Sequence, residues 1–360
     1  MTFSDIIEHP AYWLRHEGPD GAIVLSSRVR LARNLRDRPF PGWSKKAERI
    51  ALLKATYDTV VSLPQMHDGF ATWLENLSAL DKQMLVECHL ISREHAAKGA
   101  GSAIVVNPDQ TLAIMLNEED HFRMQAIRPG LQLDEAFESV SEADNQLARK
   151  LDFAYHPTWG YLTACPTNVG TGMRASAMLH LPALMMNDQM GQVVKSIGKI
   201  GLAVRGLHGE GSDTNGNLFQ VSNQTTLGET EEEIIDRLKN VIQHIIRHER
   251  GAREHLCQNM PAMLMDQIGR AYGILSHAHI LTSKDALNLL SVIKLAIDLE
   301  IFPTTYRLTV DELFIATQPA HLQYRQAQKM DAGERDILRA SLIRSKFADL
   351  PRPDATKILP

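Results

Sequence analysis

Two arginines follow an apolar stretch near the amino terminus and stand two residues apart. Arg28 and Arg30 come directly after residues 24–27, and on an extended backbone alternate side chains point to the same face. Two adjacent guanidinium groups repel each other unless an anion lies between them, and the planar fork of arginine matches a pair of phosphate oxygens. The pair therefore indicates a phosphate site. A solvated basic strand end is the alternative for this segment taken alone.

Three consecutive acids form the second chemically informative segment. Glu118, Glu119 and Asp120 follow an apolar stretch, and Arg123 comes three residues later. A carboxylate held near a reacting nitrogen is what general-base catalysis requires, and the arginine would add a phosphate ligand beside it. A charged surface loop is the alternative explanation.

A glycine-rich turn at residues 170–172 lies between Cys165 and Arg174. We expect this turn to open a helix over residues 173–186, whose first N–H groups would face an anion, with Arg174 in the first helical turn. A cysteine at this place is either a reactive thiol or a small buried apolar residue.

A second glycine-rich segment carries Arg205 and Glu210 between two stretches typical of strands. Closing catalytic loops are often built this way, on a rigid pair of strands. A plain strand connection would explain the glycines but not the charged pair. Because four segments each supply arginine together with glycine or an acid, they point jointly to one phosphate-rich cleft.

The secondary-structure pattern predicts an α+β fold, with an antiparallel β-sheet flanked by helices and followed by an all-helical C-terminal domain. Tight connections between successive apolar stretches favour antiparallel pairing. We expect strands at residues 22–27, 82–91, 103–107, 111–117, 121–127, 202–207 and 217–222. We expect helices at residues 45–61, 134–151, 173–186, 230–256, 266–279, 283–300, 311–317 and 333–347. The predicted domains are 1–21, 22–255 and 256–360.

Composition narrows the class of protein. The chain has 360 residues, of which 44% are hydrophobic, and a formal net charge of −5, so nothing global indicates nucleic acid or a membrane surface. Cys88, Cys165 and Cys257 lack the spacing of a disulfide framework or a zinc site. The amino terminus lacks a signal-peptide pattern, and no stretch is apolar enough to span a bilayer. We therefore expect a cytoplasmic protein without a resident metal ion.

Four strings, SSRVRLAR, NEEDHFR, CPTNVGTGMRAS and RGLHGEG…VSNQ, closely resemble those of the ATP:guanido phosphotransferases, the phosphagen kinases that include creatine kinase and arginine kinase. The similarity covers roughly residues 22–253. It implies ATP and Mg²⁺, with five arginines around the ATP phosphates. The residues implied to bind ATP are Ser27, Arg28, Val29, Arg30, Leu31, His89, Arg123, Arg174, Ala175, Ser176, Ala177, Met178, Arg205, Gly206, Leu207, His208, Gly209 and Glu210.

The same resemblance implies catalytic roles for three side chains. Glu119 and Glu210 match the carboxylates that orient and deprotonate the guanidinium group, and Cys165 matches the family's reactive cysteine. A guanidinium group is a poor nucleophile until a proton is removed from the attacking nitrogen. One departure concerns Met178, which stands where the small-molecule enzymes usually have a histidine near the adenine.

Two departures from the small-molecule enzymes bear on the substrate. Only the short segment 1–21 precedes the first motif, so we expect a guanidinium pocket open to a bulky substrate. The tail adds an RDxxRA string, which resembles the bacterial protein-arginine kinases of the stress response. That resemblance implies an allosteric phosphoarginine site at Arg335, Asp336, Ile337, Leu338, Arg339 and Ala340. A solvated helix face with an intrahelical ion pair is the alternative.

The predicted function is therefore transfer of the γ-phosphoryl group of ATP to arginine side chains of proteins. The resemblance further implies an activator protein and a Clp-type protease as partners, and a homodimer. Two alternatives remain at this point. One is a compact phosphagen kinase acting on free arginine, and the other is a non-catalytic adaptor that binds phosphoarginine.

Overall fold

The computed structural model describes residues 1–8, 11–15, 18–206 and 215–359. The helices in these ranges are α1 Phe3–Glu8, α2 Tyr12–Arg15, α3 Lys46–Val61, α4 Ala79–Glu87, α5 Arg93–Ala96, α6 Leu133–Ala148, α7 Pro182–Met186, α8 Met190–Gly198, α9 Glu231–Asn259, α10 Pro261–His277, α11 Ser283–Asp298, α12 Arg307–Ala316, α13 Pro319–Arg325 and α14 Ala332–Lys346. The strands are β1 Val24–Arg33, β2 Phe70–Trp73, β3 Ala103–Val106, β4 Leu112–Leu116, β5 Phe122–Pro129, β6 Tyr155–His156, β7 Gly160–Tyr161, β8 Met173–His180, β9 Leu202–Gly206 and β10 Leu218–Asn223.

Eight of these strands form one antiparallel sheet in the order β2-β3-β4-β5-β1-β8-β10-β9, and β6 and β7 form a separate hairpin. The register of β1 against β5 places Arg28 opposite Ile127 and Arg30 opposite Gln125. The helices that follow β10 make the C-terminal part helical. The predicted fold class, an antiparallel sheet flanked by helices with a helical tail, is confirmed.

The chain divides into two compact units. The first comprises residues 1–177, 200–203 and 221–241, and the second comprises residues 178–199, 204–220 and 242–360. In the first unit a core of large apolar side chains, including Phe70, Leu85, Ile104 and Met115, lies between the sheet and its helices. In the second unit α11 is the central buried helix, and Leu290, Ile293 and Ile297 are fully buried. The domain boundaries expected from sequence stay a prediction.

The prediction of a strand at residues 82–91 is wrong, because helix α4 covers residues 79–87. The Ser78 hydroxyl accepts a hydrogen bond from the backbone N–H of Asp81, and the Asp81 carboxylate accepts one from the N–H of Ser78. This capping box fixes the start of the helix and satisfies donors that a helix otherwise leaves open. The apolar stretch alone could not distinguish a short strand from a buried helix.

The prediction of a helix at residues 173–186 is also wrong, since strand β8 covers residues 173–180 and only α7 is helical. The segment does alternate, with Arg174, Ser176 and His180 on one face and apolar side chains on the other, but its Met, Ala and Leu residues favour helices as well, and that composition misled the prediction. Arg174 therefore lies on a strand and not in the first turn of a helix. The glycine-rich turn before it opens the strand instead.

Gly170 and Gly172, in that turn, have φ values of +115° and +66°. A Cβ atom at Gly172 would lie 2.6 Å from Nη1 of Arg33 and 2.7 Å from the carbonyl oxygen of Ala32, and one at Gly170 would lie 2.3 Å from the carbonyl oxygen of Thr226. Both glycines are needed because the backbone is left-handed and tightly packed there. The turn is a packing device between strands.

The remaining predicted elements are confirmed in type and place, with ends that differ from the prediction by up to six residues. They are the strands β1, β3, β4, β5, β9 and β10 and the helices α3, α6, α9, α10, α11, α12 and α14. The connection between β3 and β4 is a tight turn in which the Asn107 side chain accepts hydrogen bonds from the N–H groups of Thr111 and Leu112, both at 2.8 Å. Strands β2, β6 and β7 and helices α5, α8 and α13 were not predicted. Among the described residues, no helix combines the length and the apolar character needed to cross a membrane.

Candidate active site

Four arginines of the first unit lie near one another on one face of the sheet. Arg28 and Arg30 alternate with the buried Val29 on β1, so both side chains point to the same face. Arg123 on β5 is opposite Ala32 of β1 and shares that face, since cross-strand partners point the same way. Arg174 lies on the next strand of the sheet, β8, which is adjacent to β1. The sequence predicted this grouping, and the sheet register brings it about.

The arginine cluster, defined here as Arg28, Arg30, Arg123 and Arg174, is electrostatically unfavourable by itself. Burial, followed by the charges of Arg123 and Arg174, lowers the pKa of Arg28 to about 10. Burial, Arg28, Arg123 and Arg174 lower the pKa of Arg30 well below its usual range. The Nε atom of Arg30 is buried and has no hydrogen-bond partner within the described residues. A polyanion placed among these side chains would remove the repulsion and supply acceptors.

Glu118 neutralises part of this positive charge. Its two carboxylate oxygens accept hydrogen bonds from Nη1 of Arg123 at 2.7 and 2.8 Å, and Ser92 donates to it at 2.5 Å. Burial raises the pKa of Glu118, but Arg123 and the hydrogen bonds outweigh this effect and lower it to about 2. Burial lowers the pKa of Arg123 as well, yet Glu118 raises it overall. Sequence reasoning missed this buried pair, although the run of three acids before Arg123 was its signal.

The neighbouring Glu119 is in a different state, because its side chain is exposed. Desolvation by the surrounding protein and then the Asp120 carboxylate raise the pKa of Glu119 above its ordinary value. A carboxylate with a raised pKa is a better proton acceptor than an ordinary one. Position and pKa therefore suit Glu119, rather than Glu118, to the role of general base.

Cys165 lies on a segment that is tied to the acidic turn. Oδ1 of Asp120 accepts a hydrogen bond from the N–H of Ala164 at 2.7 Å, immediately before the cysteine. The sulfur of Cys165 is 3.0 Å from the hydroxyl of Thr167, and the side chain is half-buried. The structure thus brings the segment of Glu119 and the segment of Cys165 together.

His89 lies in the first unit and follows α4, with its backbone in the left-handed region at φ +60°. Its carbonyl accepts a hydrogen bond from Gln125 at 2.7 Å, and its ring packs edge-on against Trp13 at 5.7 Å. It is therefore not the strand histidine that the prediction of a strand at residues 82–91 required. Gln125 is opposite Arg30 in the sheet, so the backbone of His89 is connected to the strand pair that carries the arginine cluster.

The residues beside the arginines are buried. Ser27 donates to the carbonyl of Gly130 at 2.8 Å, and the N–H of Ala175 donates to Asn223 at 2.9 Å. The side chains that are less than 3% exposed are those of Ser27, Val29, Leu31, Ala175, Ser176 and Ala177. Their predicted part in binding ATP would have to come from the backbone, because their side chains are enclosed by protein.

Three predicted ATP-binding residues belong to the second unit. Met178 lies in β8, and Arg205 and Gly206 end β9; all three are half-buried. Four others, Leu207, His208, Gly209 and Glu210, lie outside the described residues. No group of three or more side chains able to hold a metal ion occurs in the described ranges.

The RDxxRA segment lies on helix α14, as predicted. Arg339 is buried and donates hydrogen bonds to the carbonyls of Thr317 at 2.9 Å and Leu281 at 2.7 Å, and also to Asp336. Arg335 is half-buried and donates to the carbonyl of Met330 at 2.6 Å. Ile337 is exposed, Leu338 is half-buried and Ala340 is buried. The two arginines therefore differ, since Arg339 links three segments of the tail and Arg335 lies nearer the surface.

Comparisons with known proteins match both parts of the chain. The family model of the ATP:guanido phosphotransferase C-terminal catalytic domain matches residues 53–252, and that of the protein-arginine kinase McsB C-terminal domain matches residues 261–358. The protein-arginine kinase of Halothermothrix orenii is 44% identical over 348 residues, covering 96% of this chain and 99% of that protein. The protein-arginine kinase of Syntrophomonas wolfei is 46% identical over 342 residues, covering 93% and 94%.

A solved structure has a similar fold over two thirds of this chain. The duplicated taurocyamine kinase of Schistosoma mansoni, solved with transition-state-analogue components, has a TM-score of 0.59 and 26% identity to this chain. The match covers 67% of this chain and 36% of that duplicated kinase. With family models over both parts of the chain and relatives similar over nearly all of it, the chain belongs to the protein-arginine kinase branch of the ATP:guanido phosphotransferase family.

Proposed function

We propose that this chain transfers the γ-phosphoryl group of ATP to arginine side chains of proteins. The observation that carries the proposal is the half-buried arginine cluster with the Glu119 carboxylate near Arg123, in a chain whose relatives are named protein-arginine kinases over nearly their whole length. A cationic face of this kind accommodates the triphosphate of ATP. Glu119 and Cys165 accommodate the guanidinium group.

The chemical step follows from these assignments. One nitrogen of the substrate guanidinium attacks the γ-phosphorus in line, the new N–P bond forms, and the bond from that phosphorus to the β,γ-bridging oxygen breaks to release ADP. The attacking nitrogen gives its proton to Glu119, whose raised pKa favours acceptance. Arg28, Arg30, Arg123 and Arg174 stabilise the negative charge that develops on the phosphoryl oxygens.

Further assignments belong to the same proposal. Glu210 is a second orienting carboxylate, and His89, Met178 and Arg205 contribute to nucleotide binding. Mg²⁺ accompanies ATP and is held chiefly by phosphate oxygens, which is its usual binding mode in such sites. The catalytic domain spans residues 22–255, preceded by the segment 1–21 and followed by a tail domain at residues 256–360.

The cellular role that we propose is marking of proteins for a Clp-type protease during stress, in the cytoplasm. The relatives' names and the matched tail domain support protein arginine as the substrate, and the resemblance of the RDxxRA tail to the stress-response kinases is the basis for the rest. An activator protein, homodimer formation and phosphoarginine bound near Arg335–Ala340 as an allosteric ligand complete the proposal.

A direct test uses an unfolded, arginine-containing protein incubated with Mg-ATP, followed by mass spectrometry under non-acidic conditions, because the P–N bond is acid-labile. We expect phosphate on arginine, and we expect Glu119→Gln to reduce its formation by at least ~100-fold. Glu254→Gln, the same change at an exposed position of α9, should leave the rate unchanged.

Other results of this test would point to a different function or a different catalytic residue. Phosphate on free arginine alone would favour a small-molecule phosphagen kinase. Phosphoarginine binding with no transfer would favour an adaptor. Transfer that persists in Glu119→Gln would remove the assignment of that residue as the base, and phosphate on serine would exclude the function itself.

A further inference from the structure

Three large aromatic side chains of the first unit are exposed, one on a turn and two on the β6–β7 hairpin. Trp43 is 88% exposed, Trp159 is 52% exposed and Tyr155 is 51% exposed. Single exposed apolar residues are common on protein surfaces, but exposed tryptophans are unusual and are enriched in binding surfaces. We call these three residues the aromatic rim. They have no part in the chemistry described above.

The turn that carries Trp43 is held rigidly. The N–H of Trp43 donates to the carbonyl of Phe40 at 2.9 Å, and the hydroxyl of Ser44 donates to the carbonyl of Pro39 at 2.7 Å. Nδ1 of His121 accepts from the N–H of Leu35 at 3.0 Å, so its Nε2 carries the proton and donates to the carbonyl of Pro39 at 3.1 Å. The protein thus fixes the backbone that carries the exposed tryptophan before any partner arrives, which lowers the entropic cost of binding.

The turn that carries Trp159 is fixed as well. It joins β6 to β7, and Nδ1 of His156 accepts hydrogen bonds from the N–H groups of Thr158 and Trp159 at 3.1 and 3.3 Å. The rings of Tyr155 and Tyr161 pack edge-to-face at 5.2 Å. The exposed faces of Tyr155 and Trp159 are therefore presented by an ordered hairpin.

Both turns are hydrogen-bonded to the segments of the guanidinium site. The carbonyl of Asn34, which precedes the Trp43 turn, accepts from the N–H of Ala154, which precedes the hairpin, at 2.7 Å. The side-chain amide of Asn34 donates to Asp120 at 2.6 Å, and Asp120 accepts from the N–H of Ala164. Asp120 is adjacent to Glu119, and Ala164 is adjacent to Cys165. One network therefore connects the segments that lead into the two rim turns to the chain neighbours of both residues proposed to hold the substrate guanidinium.

Strand β7 of the hairpin is also hydrogen-bonded to the segment that follows Cys165. The N–H of Tyr161 donates to the carbonyl of Gly170 at 2.7 Å, and the N–H of Gly170 donates back at 3.3 Å. Gly170 closes the loop that begins at Cys165. The hairpin is thus paired with the cysteine segment itself.

We propose that the aromatic rim binds apolar side chains of an extended, unfolded polypeptide on either side of the arginine that is phosphorylated. The inference rests on the proposed function, because it takes the guanidinium to lie between Glu119 and Cys165. An arginine bound there has its own backbone within one side-chain length of these residues, so the flanking residues meet the surface around them. Apolar side chains next to an arginine are exposed in unfolded chains far more than in folded ones.

The first test measures binding without catalysis. An unfolded, fluorescently labelled polypeptide in which lysine replaces every arginine is titrated with the full chain, and anisotropy gives the affinity. We expect Trp43→Ala to weaken binding about tenfold and Trp43→Ala with Trp159→Ala to weaken it further, because aromatic anchors dominate interfaces. Trp43→Phe should retain most of the affinity. Ile280→Ala, at a residue that is 65% exposed elsewhere, is the control and should bind like the natural chain.

The second test separates docking from chemistry. With an unfolded arginine-containing protein as substrate, Trp43→Ala should raise KM about tenfold and leave kcat unchanged, whereas KM for a single arginine blocked at both termini should not change. Equal affinities in the first test, or an equal rise in KM for both substrates, would overturn the proposal. If the natural chain forms no phosphoarginine, the proposed function fails; if it does and the tryptophan variants behave normally, only the docking surface fails.

Discussion

The arginine cluster on the sheet and the arginine pair on α14 use the same side chain in opposite ways. On the sheet, burial and neighbouring guanidinium groups lower the pKa values of Arg28 and Arg30. On α14, Arg339 is more deeply buried, but it is matched by two backbone carbonyls and the Asp336 carboxylate. The difference teaches that burial alone does not make an arginine a ligand-binding residue. A buried arginine is prepared for an anion where the protein places like charges around it, and is structural where the protein satisfies it.

The largest expected effect comes from removing one member of the cluster. Arg30→Ala should reduce ADP formation at least ~1,000-fold, since a single transition-state arginine contributes this much in phosphoryl transfer. Its free energy of unfolding should stay the same or rise, because the change relieves repulsion among buried cations. Steady-state kinetics and urea unfolding measure the two effects. Arg270→Ala, at an exposed intrahelical ion pair, is the control and should alter neither; a strongly destabilised Arg30→Ala would show that the cluster is structural after all.

The second prediction applies the reverse test to the tail. Arg339→Ala should lower the free energy of unfolding of the tail by about 3–5 kcal/mol, because it leaves buried acceptors and a carboxylate without their donor. Arg335→Ala removes one hydrogen bond at the surface and should cost about 1 kcal/mol. Urea unfolding followed by far-UV circular dichroism compares the two. Similar losses in both variants would contradict the distinction drawn between these arginines.

The smallest effect concerns Glu118, the carboxylate that is paired with Arg123 of the cluster. The folded-state pKa of Glu118 is about 2, below its ordinary 4.5, so its pairing stabilises the protein fully above about pH 4.5, and this stabilisation is lost as the pH falls towards 2. Glu118→Gln should lower stability near neutral pH by about 2–3 kcal/mol and flatten the loss of stability over that acidic range. Unfolding titrations at several pH values test this. An unchanged acid profile in the variant would mean that the Glu118–Arg123 pair contributes little.

Much of the catalytic side of the molecule could be predicted from sequence, because its arginines stand at fixed spacing on strands. Arg28 and Arg30 required only the two-residue period of an extended chain. Their neighbour Arg174 could be assigned to the cluster but not to its element, since the Met, Ala and Leu residues of β8 favour a helix as well as a strand. The pairing of Arg123 with Glu118 depended on side-chain packing that no local pattern reveals.

In the tail, too, the sequence predicted the element but not the partners of its side chains. The helix containing Arg335 and Arg339 was predictable from its periodicity. The acceptors of Arg339 were not, because the carbonyls of Leu281 and Thr317 come from connections distant in sequence. A motif specifies which side chains are present, and the fold decides which of them remain available.

Gly170 and Gly172 carry a consequence for recognising proteins of this kind in genomes. Both positions require glycine because the backbone is left-handed there and because Ala32, Arg33 and Thr226 lie so close. The same requirement would hold in any protein with this sheet, active or not. A descendant that lost phosphoryl transfer would keep both glycines while its cluster arginines drifted. Genome searches keyed to the glycines would collect such pseudoenzymes, and searches keyed to the four arginines would separate them from working kinases.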